Sequence, residues 1–262
     1  MLAYCHIPKT AGTTLNYILR KNFGNKLLAT IERKGNNYTH RDLKLDSLIY
    51  KDIKCISGHG LKPFIDYKEF NGEMKWFTFV RDPIKRFVSQ YIHQNTNGLD
   101  KNNLTIEAWA EKFHRSNWLV KWIAGEENLE KAIHIIEEKF IFIGLVEDFD
   151  SSLNLMKKSF SLDLNLDFGK SKMIVRDKSL KKELLIDRYN ELLPFYKRQN
   201  NLDIQFYDYI KNNFIPRLKE QVSNNSVYNK PDNFKIIDGY YSFKIMQNFI
   251  YKPYVFLTKN KL

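Results

Sequence analysis

The chain predicts an α/β fold with a central parallel sheet and crossover helices, and three observations carry that expectation. Short apolar segments alternate with helical patterns. Each apolar segment ends in a turn or a polar motif. The first of them passes through Pro8-Lys9-Thr10-Ala11-Gly12-Thr13-Thr14 directly into the apolar-periodic start of a helix, Leu15-Asn16-Tyr17-Ile18-Leu19. With 262 residues, 43% of them hydrophobic, the chain suits one large α/β domain or two small ones, and one core is the simpler expectation.

Strands are expected at residues 2–7, 53–57, 75–80 and 140–146, each short and partly β-branched or aromatic. Helices are expected at 13–23, 83–95, 104–114, 127–138, 149–159, 180–191 and 201–213. The helix at 83–95 opens on Asp82-Pro83, an N-cap residue followed by proline in the first turn. Residues 61–74 and 161–179 read as loops, the second carrying Lys170, Lys172, Arg176 and Lys178. Beyond about residue 215 Asn, Lys, Tyr and Phe dominate with little clean periodicity, and Tyr240–Ile245 reads as a strand after an Asp238-Gly239 turn. No repeat of fixed period is visible.

The opening segment has the chemistry of an anion cradle. Free N–H groups at a helix N-terminus point at a ligand, and the helix dipole favours negative charge. Gly12 permits close approach, while Thr10, Thr13 and Thr14 add hydroxyls. In a Walker A loop the lysine follows the last glycine and precedes the magnesium-binding hydroxyl. Here Lys9 precedes Gly12, an order that argues against an ordinary nucleoside triphosphatase. A second anion site is expected after the strand at 75–80, where Arg81 stands at the carboxyl end and Ser89 lies about two turns along the next helix. A guanidinium and a hydroxyl there suit a second phosphate. Two such sites on one sheet suggest a nucleotide phosphorylated at both ends.

These residues carry a resemblance. His6–Thr14 resembles the 5′-phosphosulfate loop of the sulfotransferases, particularly the carbohydrate branch that includes heparan sulfate 2-O- and 6-O-sulfotransferases. Arg81-Asp82-Pro83, with Arg86, Ser89 and Tyr91, resembles the 3′-phosphate motif of that family. Segments Gly144–Leu153 and Asn201–Ile210 agree with it too, so the resemblance spans roughly residues 4–214. It implies a P-loop-like three-layer fold, with a sulfotransferase domain at 1–214 and a basic, aromatic-rich C-terminal extension at 215–262 packed on the same domain. It also implies 3′-phosphoadenosine 5′-phosphosulfate (PAPS) as donor, 3′-phosphoadenosine 5′-phosphate (PAP) as product, and a hydroxyl-bearing acceptor, a carbohydrate by analogy. By motif, Lys9 and the loop Thr10, Ala11, Gly12, Thr13 and Thr14 would contact the 5′-phosphosulfate, with Lys9 steadying the leaving oxygen. Arg81 and Ser89 would hold the 3′-phosphate. His59, in Ser57-Gly58-His59-Gly60, would be the general base, a role that suits an imidazole facing an unactivated hydroxyl. No metal is required by this scheme. The loop with Lys170, Ser171, Lys172 and Arg176 has two functional readings, a lid over the donor or a track for an acidic acceptor, beside that of a solvated charge run.

Other residues read as structural. Arg86, one turn beyond Asp82, suits an intrahelical pair, and Arg81 has Asp82, Glu147 and Asp148 as alternative partners. His6 is expected to bond backbone or pack, and Trp109, Phe113 and Trp118 to fill the core. Cys5 and Cys55 are expected to be reduced core residues. With no basic-then-apolar leader, a cytoplasmic protein is expected. The net charge of +12 suits polyanionic partners. No nucleic-acid motif accompanies it, so no nucleic-acid partner is expected, whereas peripheral membrane contact stays open. The rival readings are a P-loop phosphotransferase, which needs the Walker order, and a non-enzymatic basic module, which rests on charge alone.

Overall fold

The computed structural model describes residues 1–96, 104–113, 116–168, 182–224 and 239–259. Five strands form one all-parallel sheet: β1 (Leu2–Cys5), β2 (Leu27–Ala29), β3 (Cys55–Gly58), β4 (Lys75–Val80) and β5 (Phe140–Leu145), in the order β2-β3-β1-β4-β5. All four residues of β1 are buried, as are the last five of β4, because helices cover both faces of the sheet. The carboxyl ends align, with Cys5 opposite Gly58 and Val80 opposite Leu145. β1 lies between β3 and β4, where the strand order reverses. The loops leaving β1, β3 and β4 therefore emerge together at the edge where open α/β sheets bind ligands.

The helices are α1 (Gly12–Phe23), α2 (His40–Asp46), α3 (Pro83–Thr96), α4 (Ile106–Phe113), α5 (Trp118–Ala124), α6 (Leu129–Lys139), α7 (Phe149–Phe160), α8 (Tyr189–Tyr209), α9 (Ile215–Asn224), α10 (Gly239–Ile245) and α11 (Lys252–Lys259). A π-helical turn, Ile210–Phe214, joins α8 to α9, and another, Met246–Tyr251, joins α10 to α11. The main core lines the sheet, and a smaller cluster of Phe87, Tyr91, Trp109, Leu192 and Tyr196 ties α3 and α4 to α8.

Several expectations change. Tyr240–Ile245 is helical rather than a strand. Alternating Tyr, Ser, Lys with Phe and Ile imitates a two-residue period there. The buried positions are instead Gly239, Phe243, Gln247, Tyr251 and Val255, a four-residue spacing that keeps one helical side against the body. The expected helices at 180–191 and 201–213 meet in α8, which bends at Asn200. The short edge strand β2 and the helices α2, α5, α9 and α11 were not foreseen. A local signal for α2 exists, since Thr39 and Asp42 form a reciprocal capping box. Cys5 and Cys55 are buried and free on neighbouring strands, but Cys55 stands opposite Leu2, three residues or about 10 Å along from Cys5. Phe113 is exposed with Lys112 over its ring, whereas Trp109 is core. The loop with Lys170, Ser171, Lys172, Arg176 and Lys178 lies outside the described residues.

Candidate active site

The turn after β1 is wound tightly. Lys9 and Ala11 both have left-handed backbones, at φ 70° and 61°, and Ala11 caps α1. Left-handed residues near a helix start turn backbone N–H groups toward one point, the geometry of an anion nest. Thr10 is buried and its hydroxyl donates to the Ile7 carbonyl at 2.8 Å. That hydroxyl proton braces the loop. Thr13 is exposed and Thr14 is buried. A Cβ on Gly12 would stand 1.8 Å from His6 Nε2, so the imidazole of His6 occupies the space that makes glycine necessary.

His6 is thereby more than a packing residue. Ser57 Oγ donates to Asn16 Oδ1 at 2.8 Å, which turns the Asn16 amide so that its Nδ2 donates to His6 Nδ1 at 3.3 Å. The His6 proton then belongs on Nε2. Burial, helped by the nearby His59, Arg20 and Lys62, pushes the His6 pKa down to about 3, so the ring is neutral. Its carbonyl accepts from His59 Nδ1 at 2.9 Å, and the two imidazoles stack with centroids 3.8 Å apart. A carbonyl can only accept, so the neutral His59 ring carries its proton on Nδ1 and presents Nε2 as a lone pair. Loss of hydration lowers the His59 pKa, the bond to His6 works against that, and Lys62 adds to the lowering.

Lys62 had no motif to announce it. It is buried beneath this cluster with its ammonium on the face of Trp122, whose indole edge also meets His59. Burial drags its pKa from 10.5 to about 7, with Cys5 and Glu32 opposing. Glu32 in turn accepts from the Gly60 N–H at 2.8 Å, fixing the turn after His59. Trp122 lies on α5, whose first N–H groups, of Leu119 and Val120, both donate to the buried Asp203 carboxylate at 2.9 Å. One residue of the Asn201–Ile210 segment thus anchors the helix that walls the site.

Arg81 leaves β4 beside the first loop. Its Nη1 donates to the Lys9 carbonyl at 3.5 Å, so both anion motifs meet. Among the described residues Arg81 forms no ion pair within 4.0 Å, and its buried Nε has no hydrogen-bond partner. Burial lowers its pKa, and the fields of Glu147 and Asp82 only partly compensate. Glu147 accepts from the Asp82 N–H at 3.1 Å and from the Tyr207 hydroxyl at 3.2 Å, bracing the turn rather than neutralising Arg81. Asp82 caps α3 as expected, accepting from the Lys85 N–H at 2.9 Å. Ser89 is half-buried on that helix. Arg86 is structural, but its partner is not Asp82: its guanidinium lies 4.3 Å above the Trp118 ring and Asp203 feels its charge. Tyr91 donates to the Leu104 carbonyl at 2.8 Å, a packing role. A surface groove lined in part by Glu137, Phe140 and Arg217 opens at the amino end of β5 and contains none of these residues.

Fold and site together define an α/β domain whose loops after β1, β3 and β4 converge at the carboxyl edge of a parallel sheet. The chain belongs to the sulfotransferase family, whose pattern matches residues 1–131. It is also 28% identical over 185 residues to an uncharacterized protein of Archaeoglobus fulgidus, a match covering 61% of this chain and 72% of the relative. Membership in the family supports sulfuryl transfer as the general chemistry.

Proposed function

We propose that the chain transfers a sulfuryl group from PAPS to an acceptor hydroxyl, on a carbohydrate in the first instance, with His59 as general base. The observation that carries this reading is Arg81. It is half-buried, its buried Nε has no partner among the described residues, and its Nη1 is bonded to the backbone of the loop whose left-handed turn and glycine suit an anion. Two anion-binding segments, one after β1 and one after β4, suit a nucleotide carrying phosphate at both ends. The order of Lys9 before Gly12 agrees.

In this reading Lys9 and the N–H groups from Thr10 through Thr14 bind the 5′ end, and Arg81 with Ser89 binds the 3′-phosphate. Lys170 and Arg176 are proposed as further donor contacts. When bound, the donor supplies an activated sulfuryl group whose link to the 5′-phosphate is the bond that breaks. His59 Nε2 takes the acceptor's hydroxyl proton while the acceptor oxygen bonds to sulfur. Lys9 and the loop dipoles balance the charge that collects on the departing phosphate oxygen. His6 keeps the base in the correct tautomer without competing for the proton, because its own ring resists protonation.

Two substitutions separate these roles, read by PAP titration and by transfer of label from a ³⁵S-labelled donor. His59→Ala should leave PAP affinity within about twofold and cost about 10²- to 10⁴-fold in transfer rate. Arg81→Ala should weaken PAP binding first, by about 10- to 100-fold, the range for a lost charge-assisted hydrogen bond. The reverse pattern would overturn the assignment.

A further inference from the structure

The helical run from Gly239 to Lys259 shows two faces. Its inner face, Phe243, Gln247, Tyr251 and Val255, is buried against the body. Two positions on, at the same four-residue spacing, come Tyr241, Ile245, Phe249, Pro253 and Leu257, all exposed. In a regular α-helix residues four apart drift by about 40° per step, and the wider π turn at Met246–Tyr251 rotates the chain back, so both stripes stay straight. The outer stripe is apolar at every position, and Phe256 and Ile250 widen it. Phe249 is 78% exposed, Phe256 73%, Tyr241 70% and Leu257 67%. Soluble surfaces scatter large apolar side chains singly; a contiguous apolar stripe marks a contact face.

Charge identifies the partner. Residues 239–259 include Lys244, Lys252 and Lys259 and no acidic residue. None of these lysines has an acidic partner among the described residues: Lys252 donates to Asn248 at 2.9 Å and Lys244 sits over the Tyr240 ring. An apolar and aromatic stripe bordered by Lys244 and Lys252, with no acidic residue along the run, is the pattern of a helix lying in a membrane interface, its rings at headgroup level and its ammonium groups among anionic headgroups. A second copy of the chain would bring lysines against lysines. Among the described residues no helix is long and apolar enough to cross a bilayer.

We propose that the outer face of residues 239–259 docks the protein on the surface of a bilayer carrying anionic lipids. This is independent of the sulfotransferase reading and needs no nucleotide. The test is flotation of the full chain with phosphatidylcholine vesicles holding about 30% phosphatidylglycerol, against phosphatidylcholine alone. Binding to the anionic vesicles is expected, weaker in high salt and at least about tenfold weaker to the neutral ones. The variant Phe249→Ser/Leu257→Ser should lose binding by at least about tenfold, and Lys252→Gln by roughly fivefold. Both sites are on the outside, so unchanged melting is expected; if the double variant melts early, Lys252→Gln alone decides. No binding to anionic vesicles, or equal binding by the variants, overturns the proposal. So does a dimer in sedimentation velocity that the double variant dissolves while wild type ignores vesicles.

Discussion

The His6 carbonyl places the proton of the His59 ring, and burial with the Lys62 ammonium nearby biases that ring toward its neutral form. In the proposed role of His59 as base, which works only when unprotonated, transfer should rise with pH through the His59 pKa and level off below the ordinary imidazole range near 6.5. Replacing Lys62 by Met removes a cation that opposes protonation of His59. The acid limb of the pH–rate profile should therefore move to higher pH; a limb that stays in place would show that the Lys62 charge does not reach the base. This residue-scale design was half legible in sequence. His59 stood in a glycine-flanked turn between two motifs, and that placement is what the sequence made visible. Lys62, Trp122 and Glu32 had no motif, because their role arises from three separate segments converging in space.

At the scale of elements, the β1–α1 turn is the part most tightly specified. His6 is held by Tyr4, His59 and Asn16 on its other sides, so it has little freedom to yield to a Cβ at position 12. Gly12→Ala should therefore cost about 1–3 kcal/mol in a denaturant melt, the range for overpacking, and weaken PAP binding. The double variant His6→Ala/Gly12→Ala should recover part of that stability, because the imidazole is what the methyl group meets. Strict additivity of the two costs would contradict the packing described. The strand–turn–helix sequence with its lysine, glycine and threonines announced this element from local pattern alone. The strand expected at Tyr240–Ile245 failed for the opposite reason: six residues of alternating aromatic and polar type do not reveal the four-residue burial spacing, which needs the whole run to Lys259.

Across the whole molecule, the C-terminal helices are bound into the body through a buried polar knot. Asp46 accepts from Arg33 at 2.5 Å, Tyr38 at 2.6 Å and Tyr251 at 2.7 Å, and the Tyr251 oxygen accepts from the Ile31 N–H at 3.2 Å. Arg33 also donates to Thr258 at 3.0 Å. Ile31 and Arg33 flank Glu32, the residue that fixes Gly60 beside His59, so residues distant in sequence steady the turn that carries His59. Removing the Tyr251 hydroxyl strips a donor from a buried carboxylate and an acceptor from a backbone N–H. Tyr251→Phe should thus lower unfolding free energy by about 1–3 kcal/mol, read as a drop in the denaturation midpoint. An unchanged midpoint would mean that the knot is not shared by the two parts. Composition alone could not show this tie, since its partners lie about two hundred residues apart.

The central claim is that one site recognises a nucleotide at both its 5′ and 3′ ends. Calorimetric titration of the protein with PAP, AMP and ATP in the presence of a metal chelator tests it most directly. One site is expected, with PAP binding at least about tenfold more tightly than AMP through charge-assisted bonds from Arg81, and ATP unable to match it. Equal affinity for AMP and PAP, or tighter binding of ATP, would contradict it.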